Sequence, residues 1–249
     1  MKFFGKVKFF LNALVECCFP KICILCGDKI HEGLCYNICE RCLKGIDWLK
    51  GPRCSCCGRP MGAGFREDEA AIVCQSCQEK PPFFKDRLLC WNHAGNGRKL
   101  IHALKYYNAW YLHRDIAVLL KTYCPAAIDY IRHAVLVPVP IAWSRRVHRG
   151  YNQSDVIVRA LQRLSSEVRV ARMLRAFKKP SQTHLGFSQR QTNVRGKFQV
   201  TWKQSFIARD SRIIVVDDVS TTGATVDECC KVLRRAGFYD LHVLTLSFG

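Results

Sequence analysis

Four Cys-x-x-Cys pairs fall within 55 residues near the start of the chain, and no other feature restricts the fold as strongly. They are Cys23/Cys26, Cys39/Cys42, Cys54/Cys57 and Cys74/Cys77. Two thiolates at this spacing can hold one metal ion from a tight turn. Gly27 and Gly58, each placed directly after the second Cys of a pair, let the backbone turn back on the sulfurs. Two such knuckles complete a tetrahedral four-sulfur site, which suits zinc or an iron–sulfur cluster. Closing a loop costs less within a block than between blocks. The spacing therefore predicts two structural Zn²⁺ sites, Cys23–Cys26–Cys39–Cys42 and Cys54–Cys57–Cys74–Cys77. Disulfides would fit a secreted chain, but no convincing secretion signal is present. A thioredoxin-type motif needs one such pair after a strand, not four in loop-rich sequence. The reduced thiols place the protein in the cytoplasm.

Upstream, Phe3, Phe4, Val7, Phe10, Leu11 and Leu14 recur at helical spacing among Lys2, Lys6 and Lys8. Residues 1–20 read as an amphipathic helix ending before Pro20. It either packs on the adjoining domain or lies on a membrane surface or partner, at the inner face of the cytoplasmic membrane. No run of eighteen apolar residues exists, so no transmembrane segment is expected.

The formal charge of +19 is unevenly placed. Residues 141–212 hold 16 basic and 3 acidic groups, whereas residues 213–249 hold 3 and 5. Two zinc–tetrathiolate sites would lower the total to about +15 and leave the cysteine block near neutral. The remaining excess attracts polyanions such as nucleic acid or phosphorylated small molecules.

Lys80-Pro81-Pro82 marks a boundary, giving a zinc module over 21–80 and a second domain over 81–249. In the second domain, strands are expected at Leu88–His93, Ala134–Val139, Arg212–Val216 and Leu241–Phe248. Helices are expected at Arg98–Tyr107, Leu112–Tyr123, Tyr151–Leu164 and Thr225–Arg235. This alternation means an α/β fold with a parallel sheet flanked by helices.

Within that pattern, Ile213–Val216 runs into Asp217-Asp218, then Val219-Ser-Thr-Thr-Gly-Ala-Thr225, then a helix. Ligands of open α/β sheets bind at the carboxyl ends of strands. Thr221, Thr222, Gly223, Ala224 and Thr225 can wrap a phosphate with amides and hydroxyls at a helix N-terminus. Asp217 and Asp218 can accept hydrogen bonds from two sugar hydroxyls, directly or through Mg²⁺. Together they describe a ribose-5-phosphate site.

This loop resembles the 5-phosphoribosyl pyrophosphate (PRPP) loop of type I phosphoribosyltransferases. The wider order resembles the ComF family of competence-associated proteins (ComF/ComFC, also called GntX-like). It runs from four knuckles through Leu104-Lys105-Tyr106, Val137-Pro-Val-Pro140, Arg149-Gly-Tyr-Asn-Gln153, Gln182-Thr-His-Leu185 and Arg190-x-x-Asn193-Val194-x-Gly196-x-Phe198 to the loop. Ser220 departs from the bulkier or apolar residue that many members carry.

The resemblance implies a phosphoribosyltransferase fold and a cytoplasmic protein of natural transformation that handles incoming single-stranded DNA. By position, Arg145, Arg146, Arg149 and Gly150 would hold pyrophosphate, which suits their chemistry. Arg172–Phe198, with Gln182, Arg190 and Asn193, would be the mobile loop that closes the site. Asp217 and Asp218 would be the catalytic carboxylates of an active transferase, working with Mg²⁺-bound PRPP.

Three functions compete. One is PRPP binding combined with single-stranded DNA handling, with Trp91, Tyr106, Tyr107, Trp110, Tyr111, Trp143, Tyr151 and Phe187 as candidate stacking residues. The second is a phosphoribosyltransferase of nucleobase salvage. In the third, the phosphate is only an ordering ligand and the zinc module docks a competence helicase or a recombination-loading protein.

Overall fold

A computed structural model describes residues 20–31, 33–62, 72–177, 196–201 and 206–249. The amphipathic segment expected over 1–20 falls, apart from Pro20, outside these residues, as do Gln182, Arg190, Asn193 and Phe187.

Short helices α1 (Glu40–Lys44) and α2 (Gln75–Glu79) begin at the second knuckle of each cysteine quartet. The α/β part follows with β1 (Arg87–Asn92), α3 (Gly95–Tyr106), α4 (His113–Tyr123), α5 (Ala126–Ile131), β2 (Val135–Pro138), α6 (Trp143–Arg149) and α7 (Gln153–Gln162). It continues with β3 (Arg169–Val170), β4 (Leu174–Ala176), β5 (Phe198–Val200), β6 (Ile213–Ser220), α8 (Ala224–Arg235) and β7 (Leu241–Phe248). Five strands form a parallel sheet in the order β1-β7-β6-β2-β3, and β4 and β5 form a separate antiparallel pair.

The apolar runs read from the sequence are strands buried on both faces. On one face Leu136, Ile214, Val216, Leu244 and Leu246 pack with α3, α4 and α7. On the other, Val137, Ile213, Val215 and Val243 pack with Val226, Cys229 and Leu233 of α8, and with Leu174 and Phe198 of the β4–β5 pair. The expected architecture, a helix-flanked parallel sheet preceded by a cysteine-rich module, is the one observed.

Several boundaries differ from the sequence reading. β6 extends through both aspartates to Ser220, because β7 runs alongside it and pairs Val219 with Ser247 and Ser220 with Phe248. The helix expected from Tyr151 starts at Gln153, where the Asn152 side chain caps it by accepting from the Ser154 N–H. Helices α5 and α6 fall in stretches where the sequence predicted none.

The cysteine module lies against the edge strand β1. Leu49 N–H donates to the Cys90 carbonyl, Asn92 N–H donates to Asp47, and Arg53 donates to the Leu89 carbonyl. Trp48 meets Trp91 edge-on, with centroids 5.3 Å apart, and stacks on Tyr123. Ile38, Leu43 and Ile46 enter the same apolar cluster as Leu100 and Ile116. No helix among the described residues is long and apolar enough to cross a membrane.

Candidate metal centres and anion site

Both cysteine quartets assemble within their own block. In each, four Sγ atoms lie within 4.8 Å of one another. Cys26 and Cys39 sulfurs are 3.7 Å apart, and so are those of Cys57 and Cys74. All eight cysteines are free thiols. Burial opposes ionisation of Cys23, yet the N–H groups of Cys39, Leu25 and Cys26 outweigh it and pull the thiol down to about 7. At Cys54 burial is likewise outweighed by the N–H groups of Cys74, Cys57 and Cys56, which bring it to about 6. Amides aimed at sulfur are what a thiolate ligand needs. Four sulfurs with no carboxylate in the set fit structural zinc. Cys56, inside the third pair, stays out of the quartet.

The second site sits at the carboxyl end of β6, in the middle of the sheet. Asp217 Oδ1 accepts from the Asp218 N–H at 3.0 Å and faces the Ser154 hydroxyl at 3.4 Å. Burial and the adjacent Asp218 carboxylate push the Asp217 carboxyl up to about 8. Asp218, nearly buried, pairs with Lys105 at 3.2 Å. His93 meets Ser247 at 2.9 Å. Burial, together with Lys105 and Arg98, holds the imidazole below its usual range.

Beyond the strand, Thr221 is exposed and Thr222 Oγ1 faces the Ala224 N–H at 3.4 Å. Gly223 adopts φ +76°, a left-handed conformation that other residues adopt only at a cost. That turn launches the 12-residue helix α8, so the partial positive charge of its N-terminus faces the loop. Two carboxyls, a small-residue turn and a helix N-terminus are thus contiguous.

Among the residues assigned to pyrophosphate, Arg145 and Arg146 are exposed on α6, which buries none of its residues. Arg149 is half-buried, donates to Gln153 Oε1 at 3.0 Å and lies over the Tyr106 ring. Gly150 ends α6 at φ +76°. This segment leads directly into Ser154, beside Asp217. Of the candidate stacking residues, Trp91 is fully buried and Tyr111 and Tyr151 are half-buried, whereas Tyr106, Tyr107, Trp110 and Trp143 are exposed. Lys105, Ser154, His93 and Arg87, all at or beneath this site, were not singled out from the sequence as its residues. Only Lys105 had a signal, lying in the Leu104-Lys105-Tyr106 stretch of the family pattern.

Comparison with known proteins agrees with the reading of the cysteine module. The double zinc ribbon domain family matches residues 14–78. Competence protein F of Haemophilus influenzae is 28% identical over 236 residues, covering 90% of this chain and 96% of that protein. DNA utilization protein YhgH of Escherichia coli K12 is 27% identical, covering 88% and 92%. Competence protein ComFC of Bacillus subtilis is 22% identical, covering 87% and 90%. A solved hypoxanthine phosphoribosyltransferase from Staphylococcus aureus is similar at a TM-score of 0.32 and 10% identity, over 57% of this chain and 62% of that one. Over about nine-tenths of its length, the chain is a homologue of the competence protein F, ComFC and YhgH proteins.

Proposed function

We propose that this protein acts in competence or DNA utilisation, binding PRPP in the β6–α8 turn and handling imported single-stranded DNA in the cytoplasm. The observation that carries the reading is the juxtaposition of Asp217 and Asp218 with the Gly223 turn and the start of α8. The turn supplies amides and hydroxyls to a 5-phosphate. A carboxyl with its pKa raised to about 8 can both donate to and accept from a ribose hydroxyl near neutrality. Lys105 already neutralises Asp218. Among the described residues, only the cysteine quartets bring three or more candidate ligands together. Mg²⁺ would therefore arrive with the diphosphate, where Arg145, Arg146 and Arg149 add positive charge.

The surface beside the site suits single-stranded nucleic acid. Tyr106, Tyr107, Trp110 and Trp143 are exposed aromatics that could stack on bases, and Arg145, Arg146 and His148 are exposed on α6. Titration calorimetry with Mg²⁺–PRPP tests the first half. Wild type should bind, and Asp217→Asn with Asp218→Asn should abolish binding without unfolding the chain. An oligonucleotide titration against salt tests the second half. Arg145→Gln with Arg146→Gln should lower the slope of log affinity against log salt by about 1.4, at about 0.7 per phosphate contact. The double-carboxylate variant should bind the oligonucleotide as wild type does. Absence of any Mg²⁺–PRPP isotherm would overturn the PRPP reading, and turnover of PRPP with a free nucleobase would replace it with a salvage transferase.

A further inference from the structure

Arg87 opens β1, yet its guanidinium reaches the turn that follows β6. Its Nη1 donates to Ser220 Oγ at 2.5 Å, and its Nε donates to the carbonyl of Cys57 at 2.6 Å. A Cβ on Gly223 would lie 3.0 Å from Nη1. One side chain therefore touches the backbone of a zinc ligand at one end and, at the other, Ser220, the last residue of β6, beside the phosphate loop.

Arg87 is only 8% exposed, and among the described residues no carboxylate lies within ion-pair distance of it. A buried cation without a counter-ion is costly. Burial pulls its pKa below the usual arginine range. Cys57, Cys77 and Cys54 push the other way, and Arg59 adds to the burial effect. Those cysteines carry negative charge when they ligate a metal. The guanidinium thus sits between two places for anions: the sulfurs of the second quartet and the turn at Thr221–Thr225.

We propose that Arg87 couples the second four-cysteine zinc site to the anion-binding turn, so that the turn is ordered for a phosphate monoester only when that zinc site is loaded. The second quartet is then more than a fold support, because its state is read two strands away in the sheet. Among the described residues, the contacts of the first quartet with the sheet domain lead away from the turn: Asn96 of α3 donates to the carbonyl of Cys42, and Asn37, beside the second knuckle, is held by Asp115 of α4. The coupling rests on the phosphate site proposed for the β6–α8 turn, and the test keeps the two apart.

Amide hydrogen exchange of peptides spanning Ser220–Thr225 is read on the full-length protein without ligand. The set comprises wild type, Arg87→Lys, Arg87→Met, Cys77→Ser (second quartet) and Cys26→Ser (first quartet). Zinc content and circular dichroism check that each chain is folded. Ribose 5-phosphate affinity is measured in parallel.

Cys77→Ser and both Arg87 variants should deprotect the turn by about tenfold or more, the size expected on losing a charge-assisted hydrogen bond. Cys26→Ser should leave the turn unchanged. Combining Cys77→Ser with Arg87→Met should add nothing to either alone. Equal deprotection by Cys26→Ser and Cys77→Ser, or unchanged exchange in folded Arg87→Met, overturns the coupling. Coupling of exchange in a protein that ignores ribose 5-phosphate would support the linkage while sinking the PRPP reading. Ribose 5-phosphate binding that is equally tight in wild type, Cys77→Ser and Arg87→Met would do the opposite.

Discussion

Replacing Asp115 with alanine isolates the grip that the sheet domain has on the first zinc quartet. Asp115 is fully buried in α4, and its two oxygens accept from the backbone N–H and the Nδ2 of Asn37, both at 2.8 Å. Hydrogen bonds to a charged acceptor contribute about 1.5–3 kcal/mol each. Asn37 is half-buried, so water can satisfy part of what is lost, and the lower figure applies twice. The expected cost is about 3 kcal/mol, or a fall of roughly 6 °C in the melting midpoint for a domain of this size.

Asp129 provides a control of the same residue type. It pairs with Arg132 on the surface, with side chains 77% and 56% exposed, so Asp129→Ala should move the midpoint by less than about 2 °C. Asp115→Asn should fall between the two. Its amide oxygen keeps the bond from the Asn37 N–H, and rotation of the Asn37 amide restores the other bond without the charge. Thermal unfolding of the zinc-loaded protein, followed by circular dichroism with a chromogenic zinc indicator, measures both midpoint and metal release. If Asp115→Ala melts within 2 °C of wild type, or no lower than Asp129→Ala, the module is not anchored through this carboxylate.

Two further substitutions test the turn and its acids. Gly223→Ala places a Cβ in a left-handed backbone, at about 1–2 kcal/mol, and 3.0 Å from Arg87 Nη1. Its affinity for ribose 5-phosphate should drop by more than about tenfold with both zinc ions retained, and calorimetry showing wild-type affinity would remove the turn from the phosphate site. Asp217 has its pKa raised by burial and then by Asp218, from an ordinary 3.8 to about 8. The folded state therefore binds this proton more tightly than the unfolded state, and stability present below about pH 4 is lost as pH rises through 8. Asp217→Asn abolishes that titration, so the difference in melting midpoint, variant minus wild type, should grow from pH 4 to pH 8. A flat difference would show that Asp217 ionises normally.

What the sequence disclosed was local. A Cys-x-x-Cys pair followed by glycine defines its own geometry, so both quartets could be read without a fold. Strand β2 and the first half of β6 announced themselves because residues buried on both faces make unbroken apolar runs, and β7 did so although His242, Thr245 and Ser247 interrupt it. The segment Trp143–Arg149 did not, since a helix that buries nothing leaves no apolar period, and only the capping Gly150 marks its end. Arg87 and Asp115 escaped notice because their partners lie 133 and 78 residues away and nothing near them in the chain is unusual. Aromatic type alone did not separate Trp91, sealed against the module, from the exposed Trp110.

The position of β1 puts the cysteine module and the sheet in direct contact. A sheet edge leaves a row of unpaired N–H and C=O groups, which proteins cover or blunt. Here the module covers it: Leu49 and Arg53 take carbonyls of β1, and Asp47 takes the Asn92 N–H. Ile38, Leu43 and Ile46 then extend the core that packs α3 and α4. A ribbon of this size has little core of its own, so the free energy of metal binding is also free energy of folding. Because the ribbon closes the edge of the sheet, that free energy is spent on β1. From β1 the Arg87 side chain reaches Ser220 at the end of β6, beside the turn. Metal loading, edge closure and the shape of the anion turn are linked through contacts no longer than one side chain. A variant that loosens any one of them should be detectable at the other two.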